Sequence, residues 1–231
     1  MVILSVALLA VQFSRAQQPV APADSTARVT FKFRWDQGRP WTSYIIEVGE
    51  TGDTHFSGTG DSEEYGDGDS FQQDFTMSEA NRQKIFELAK DTNYFQGQFE
   101  AKQKNIAKTG EKTLEYDGPS HHRSTTFNYS PNQNIQQLAK LFQSIATTIG
   151  YGRKLAYQYR FDKLGMDAQL KELIDAQAAG FAVEIQAIEP ILTKIANDPN
   201  LMHIARVEAR QLLKSANSNA GAPGASAPNQ P

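Results

Sequence analysis

Residues Ser130 to Ile149 (SPNQNIQQLAKLFQSIATTI) constrain this chain more than any other stretch. Their apolar residues, Ile135, Leu138, Ala139, Phe142, Ile145, Ala146 and Ile149, recur every three or four positions. That spacing is the mark of one buried helix face. Ser130 fits an N-cap, Pro131 fits the first helical position, and Gln133 completes a capping box. Gly150 stands where a left-handed residue after the last turn is expected. Upstream of this helix the chain reads mostly as strands, and downstream almost wholly as helix. The helix is therefore expected to form the core of a first domain and the junction to a second.

Upstream, Val29, Phe31, Phe33 and Trp35 alternate with polar residues from Arg28 to Trp35, as in a strand with one buried face. Trp41 to Val48 repeats the pattern with Tyr44, Ile46 and Val48, and Thr54 to Ser57 pairs back as a hairpin arm. Gly58 to Ser70 is a glycine-rich acidic loop, and Phe71 to Phe75 reads as a short edge strand. A helix follows from Ser78 to Lys90, and Asn93-Tyr94-Phe95 ends it and delivers an aromatic to the core. Thr113–Tyr116 and Ser124–Tyr129 make a second hairpin around Asp117-Gly118-Pro119. The expected fold class is α+β, an antiparallel sheet with two helices on one face. A small all-α helical domain follows it.

In that helical domain, Ile174, Ala178, Phe181, Ile185, Ile188, Leu192 and Ile195 are spaced as a heptad seam. Gly180 and Pro190 interrupt it, so packed hairpin helices are expected rather than a free coiled coil. Asp198-Pro199 opens a last helix to about Lys214 that buries Leu201, Ile204, Ala205 and Leu212. The domain boundaries are 28–150 for the α+β part and 151–214 for the helical part. Residues 215–231 read as a disordered tail.

The start of the chain bears on compartment. Val2 to Phe13 is an apolar run, and Ser14-Arg15-Ala16 places small residues at −3 and −1 of a cut before Gln17. Residues 1–16 thus read as a secretory signal peptide, with a buried N-terminal helix as the alternative, and residues 17–27 as a disordered linker. The run is too short to span a bilayer easily, so no stable transmembrane span is expected after processing. The chain has no cysteine, which excludes disulfides, thiolate metal sites and cysteine nucleophiles. A net charge of −3 with no basic stripe argues against nucleic acid. The charge is uneven: Pro40 to Asn81 carries ten acidic residues and no Lys or Arg.

Catalytic patterns are sparse. The histidines, His55, His121, His122 and His203, show no HExxH or HxH spacing. His55 and Ser57 share a strand face, which is commonplace. Gly110-Glu111-Lys112-Thr113 departs from the phosphate-loop pattern at Glu111 and at Asn105. The acidic loop supplies the candidate ligands Asp61, Glu63, Glu64, Asp67 and Asp69. Calcium takes about six to eight oxygens, but their spacing is not that of an EF-hand. A solvated loop is the first reading, with a partner-binding surface and a calcium site as alternatives, and no cofactor is expected.

The order of strands, then Ile85-Phe86-Glu87-Leu88 running into Asn93-Tyr94-Phe95, then a hairpin and Gln137-Leu138-Ala139-Lys140-Leu141-Phe142, resembles small exported bacterial α+β domains. It is also similar in layout to emfourin-type inhibitors of thermolysin-like proteases. Asp198-Pro199, Ala205-Arg206, Ala209 and Leu212-Leu213 resemble the second helix of a HEAT repeat, here as one capping pair. The expectation is a non-catalytic exported binding or accessory protein of the bacterial cell envelope with a protein partner. A protease inhibitor and a carboxylate-dependent hydrolase are the alternatives.

Overall fold

The computed structural model describes residues 27–35, 41–60, 70–103 and 105–220. Six strands form one antiparallel sheet: β1 (Arg28–Arg34), β2 (Trp41–Gly49), β3 (Asp53–Gly60), β4 (Ser70–Thr76), β5 (Glu111–Asp117) and β6 (His122–Phe127). The spatial order is β4-β3-β2-β1-β5-β6. The first four strands form a meander; helix α1 (Glu79–Asp91) then carries the chain back so that β5 pairs with the free side of β1. Helix α2 is Gln133–Phe161, α3 Met166–Ala178, α4 Glu189–Asn197 and α5 His203–Ala220. The fold is α+β, with α1 and α2 on one face of the sheet and a helical C-terminal part that includes the α4–α5 hairpin.

The alternation in β1 and β2 places Val29, Phe31, Phe33, Tyr44, Ile46 and Val48 beneath the helices. Phe142 of α2 is fully buried and stacks on Phe31, with ring centroids 5.0 Å apart and planes 2° from parallel. Trp41 Nε1 donates to the Ala146 carbonyl at 3.0 Å, tying β2 to α2. Burial drives the Tyr44 phenol far above the ordinary tyrosine value. The turn after α1 holds Asn93, Tyr94 and Phe95 at φ 52°, 54° and 65°, which sends Phe95 into the core. Three non-glycine residues in the left-handed region are strained, and the buried Phe95 side chain offsets that strain.

Several expectations are corrected. Of the two starts that the sequence allows for α1, Ser78 as the cap or a Thr76–Glu79 capping box, the structure takes Ser78, whose Oγ accepts from the Asn81 N–H at 3.5 Å. The cap of α2, however, is Asn132, whose Oδ1 accepts from the Asn134 and Ile135 amides at 2.9 and 3.2 Å. Ser130 instead accepts from the Asn132 amide, so Pro131 precedes the helix and Gln133 is its first residue rather than a capping-box partner. The β3 arm spans Asp53–Gly60 rather than stopping at Ser57, because it pairs along its length with both β2 and β4.

Gly150 does not end α2. The helix runs through Gly150 and Gly152 to Phe161, and its apolar face passes from the sheet core to a second core built on Leu155, Leu170, Leu173, Leu192, Ile195 and Leu212. Glycine inside a helix costs about 1 kcal/mol relative to alanine, and here it permits close packing. A Cβ on Gly152 would lie 2.3 Å from Ile188 Cγ2. Gly152→Ala is therefore expected to destabilise the fold by about 1–3 kcal/mol. Adding Ile188→Ala should recover part of the loss, which denaturant midpoints of the single and double variants will measure.

The heptad seam is not a seam. Helix α3 stops at Ala178, Gly180 takes φ +72°, and Ala178 and Phe181 are exposed. The spacing continued by coincidence across a chain reversal, a 3-10 turn (Ile185–Ile188) and the start of α4, where Pro190 occupies the first turn. In α5, Ile204 faces solvent while Ala205, Ala209 and Leu212 are buried. That helix reaches Ala220, beyond the expected end near Lys214, because Ala216 adds another buried turn.

The two parts are joined by side-chain hydrogen bonds. Thr148 Oγ1 of α2 donates to the Val183 carbonyl at 2.6 Å, and Ser144 Oγ to the Gly180 carbonyl at 3.3 Å. Glu184, buried and left-handed at φ 58°, accepts from Ser78 N–H at 2.8 Å, Ser78 Oγ and Asn81 Nδ2 at 2.5 Å each, and Gln186 Nε2. A carboxylate from the helical part thus sits on the amino end of α1, where the helix dipole favours negative charge. Among the described residues no helix is long and apolar enough to cross a membrane.

Candidate functional site

With α1 and α2 on one face, the opposite face of the sheet carries the polar half of each strand's alternation. Its central strand β1 presents Arg28, Lys32 and Arg34 in a line. Carboxylates flank that line on both sides. Glu111, Glu115 and Asp117 stand opposite these positions and Thr30 on β5, while Glu47, Asp53 and Asp74 lie on β2, β3 and β4. Arg28 meets Asp53 at 2.9 Å and Lys32 meets Glu115 at 2.8 Å. The Thr51 hydroxyl, together with Arg28, holds the Asp53 carboxyl below its usual range although desolvation opposes them. Exposed pairs of this kind contribute little to stability, typically about 0–1 kcal/mol. Their effect is to lay out a fixed pattern of charge on a rigid surface.

Arg34 is the member of the line that has no ion-pair partner among the described residues. It faces Glu111 across the β1–β5 register, and both residues line two adjoining depressions. One, of about 490 Å³, lies on the sheet face among Lys32, Ser43, Ile45, Ser57 and Thr113. The other, of about 830 Å³, opens at the end of the sheet beside Trp35, Glu100, Ile106, Lys108 and Asn128. Ile45 stands among the polar groups with 36% of its surface exposed.

The wall of the end cleft is pinned by Lys112 and Asn128. Lys112 lies on the covered side of β5, and its ammonium donates to the carbonyls of Gly110 at 3.0 Å and Asn128 at 2.9 Å and to Thr109 Oγ1 at 3.2 Å. Burial pushes its pKa down, with Glu100 opposing. The Asn128 side chain accepts from Thr109 N–H at 2.8 Å and donates to the Ala107 carbonyl at 3.0 Å. Asn128 N–H reaches Glu100 Oε2 at 2.6 Å. Gly110, at φ +101°, packs so closely on Phe33 and Trp35 that a Cβ would stand 2.6 Å from the Phe33 ring.

His55 Nδ1 lies 2.6 Å from Asp74 Oδ1 across the β3–β4 ladder. Ser57 is two residues along the same strand, where side chains stand about 7 Å apart, and no hydrogen bond joins it to His55. A dyad is present without an aligned nucleophile. His122 pairs with Asp117 on the open face, while His121 packs its ring on Tyr94, centroids 4.0 Å apart, so the two adjacent histidines do point apart. Lys112 and Thr113 belong to β5 and its neighbours, not to a phosphate loop. Asp61, Glu63, Glu64, Asp67 and Asp69 lie outside the described residues. Among the described residues no group of three or more His, Asp or Glu side chains is placed to hold a metal ion.

The cation line, the facing of Arg34 and Glu111 across the β1–β5 register and the Lys112 hydrogen bonds do not follow from local sequence patterns. The position of Lys112 two residues before Leu114 places it on the buried parity of β5, which is the sequence signal for its role. No protein-family model matches the chain, and no curated protein matches it.

Proposed function

We propose that this is an exported, non-catalytic binding protein of the bacterial cell envelope, and that the open sheet face around Lys32, Arg34 and Ile45 is its contact surface for a protein partner. One observation carries the reading: among the described residues the helices that cover the sheet lie on one side, and the other side carries a line of cations bordered by carboxylates. Patterned charge of this kind favours partner selection and encounter over raw affinity. An apolar residue at its centre supplies a point that a partner can desolvate. Protease inhibition, the activity implied by the emfourin-like layout, is a special case of the same binding. Export rests on the apolar run from Val2 to Phe13 and the small residues before Gln17.

The test of compartment is fractionation of cells producing the full chain, followed by amino-terminal sequencing. The expected product lies in the envelope fraction and begins at or near Gln17. Recovery of an uncleaved chain from the cytoplasm would remove the envelope from the proposal.

A further inference from the structure

A second feature, at the outer edge of the sheet, points to a specific kind of ligand. Between the outer edge of β4 and the helical part runs a groove of about 680 Å³. Phe71 and Phe75 form its strand side, and Ala156, Ile188 and Ile191 its helical side. The backbone of β4 has a definite parity. Met77 N–H donates to the Gly52 carbonyl at 2.9 Å, and the register continues with Asp53 opposite Thr76. Residues 71, 73 and 75 therefore direct their N–H and C=O groups to β3, while Gln72, Asp74 and Thr76 direct theirs outward. The Thr76 carbonyl accepts from Gln186 Nε2 at 3.4 Å, and Gln73 Nε2 donates to the Ala187 carbonyl, so the helical part closes that end. Among the described residues nothing pairs with the outward N–H and C=O groups of Gln72 and Asp74.

We propose that this groove binds an extended, basic polypeptide segment of a partner protein, added along β4 as a seventh strand. A row of unpaired ladder groups beside an apolar trough is what such a segment matches, with main-chain bonds for affinity and alternate side chains for specificity. Residues of the added strand that share the parity of Phe71 and Phe75 enter the trough; those between them lie beside Asp74 on the open face. Charge selects the partner. The acidic side chains that line the groove are Asp74 on β4 and Glu189 on the opposite rim. A second copy of the chain paired along β4 would set Asp74 close to its own counterpart, which disfavours pairing of β4 with β4. Arg153 in the groove wall lies over the Trp41 and Phe71 rings, 5.5 and 5.9 Å from their centroids, and so faces the sheet aromatics.

The test uses the full chain and fluorescein-labelled peptides of about eight residues, alternating valine with lysine or valine with glutamate, read by anisotropy. The lysine peptide is expected to bind at least about tenfold tighter than the glutamate peptide, and more weakly as salt rises. N-methylation of alternate peptide amides, on the side that faces β4, should abolish binding. Gln72→Pro removes the outward N–H without touching the β3 ladder, and should weaken binding by about tenfold or more, while Gln72→Ala retains it. Bound peptide should also slow hydrogen exchange at the Gln72 and Asp74 amides. Absence of lysine-peptide binding up to about 1 mM would overturn the proposal, as would binding indifferent to N-methylation or without protection at those two amides. If Gln72→Pro fails to fold, the N-methylated peptide and the exchange data decide.

Discussion

Phe142→Ala is expected to cost about 3–5 kcal/mol, a large share of the roughly 5–15 kcal/mol that holds a domain folded. The ring is fully buried, lies flat on Phe31 and occupies the middle of the α2 stripe between the sheet and Ile135, Leu138 and Ile145. Its removal leaves a cavity whose walls are strands on one side and a helix on the other, neither free to collapse. Because α2 continues into the second core, the loss should lower the transition of both parts together. Lys140→Ala, on the exposed side of the same helix with only a 5.8 Å approach to the exposed Phe181 ring, should shift stability by less than about 1 kcal/mol. Denaturant unfolding of the two variants checks the assignment; comparable small effects would mean the wrong face of α2 had been placed in the core.

Glu184→Ala should be the next most damaging change, at about 2–3 kcal/mol. Its carboxylate takes four hydrogen bonds from Ser78, Asn81 and Gln186. Without it, the Ser78 N–H and Asn81 Nδ2 lose their acceptor in a part-buried site, and the first turn of α1 loses a negative charge at its amino end. The effect should be local as well as global: amide exchange in residues 79–82 should accelerate more than in β1. Glu184→Gln keeps the shape but turns one oxygen into a donor facing other donors, so it should recover only part of the loss. Uniform exchange across the sheet and α1 would show that Glu184 does not couple the two parts.

Much of the fold was legible because it follows from local periodicity. The alternation in Arg28–Arg34 and Trp41–Gly49, the edge position of Phe71–Phe75, the Ser78 cap and the α2 stripe all depend on residues close in sequence. The misreadings arise where tertiary packing overrides a local rule. Glycine after an apolar run usually ends a helix, but α2 runs on through Gly150, and two residues later Gly152 packs where Ile188 leaves no room for a side chain. A spacing of three and four persisted from Ile174 to Ile195 although the chain reverses at Gly180, since periodicity alone cannot register a turn that keeps the count. The candidate face was less legible still. Arg28, Lys32 and Arg34 are visible in sequence only as the polar half of an alternation. Their significance comes from carboxylates on other strands, such as Glu115, which lies 83 residues from Lys32 and is brought to it by the register of β1 and β5.

The central claim, that the open sheet face contacts a protein partner, is tested most directly by photo-crosslinking in cells. A photoreactive phenylalanine analogue replaces Ile45 on the face, and in a matched chain replaces Lys171 on the exposed side of α3. The account predicts a discrete, ultraviolet-dependent adduct from position 45 in the envelope fraction, lost when Lys32→Glu and Arg34→Glu are added, and none from position 171. No adduct at position 45, or equal adducts at both positions, would contradict it.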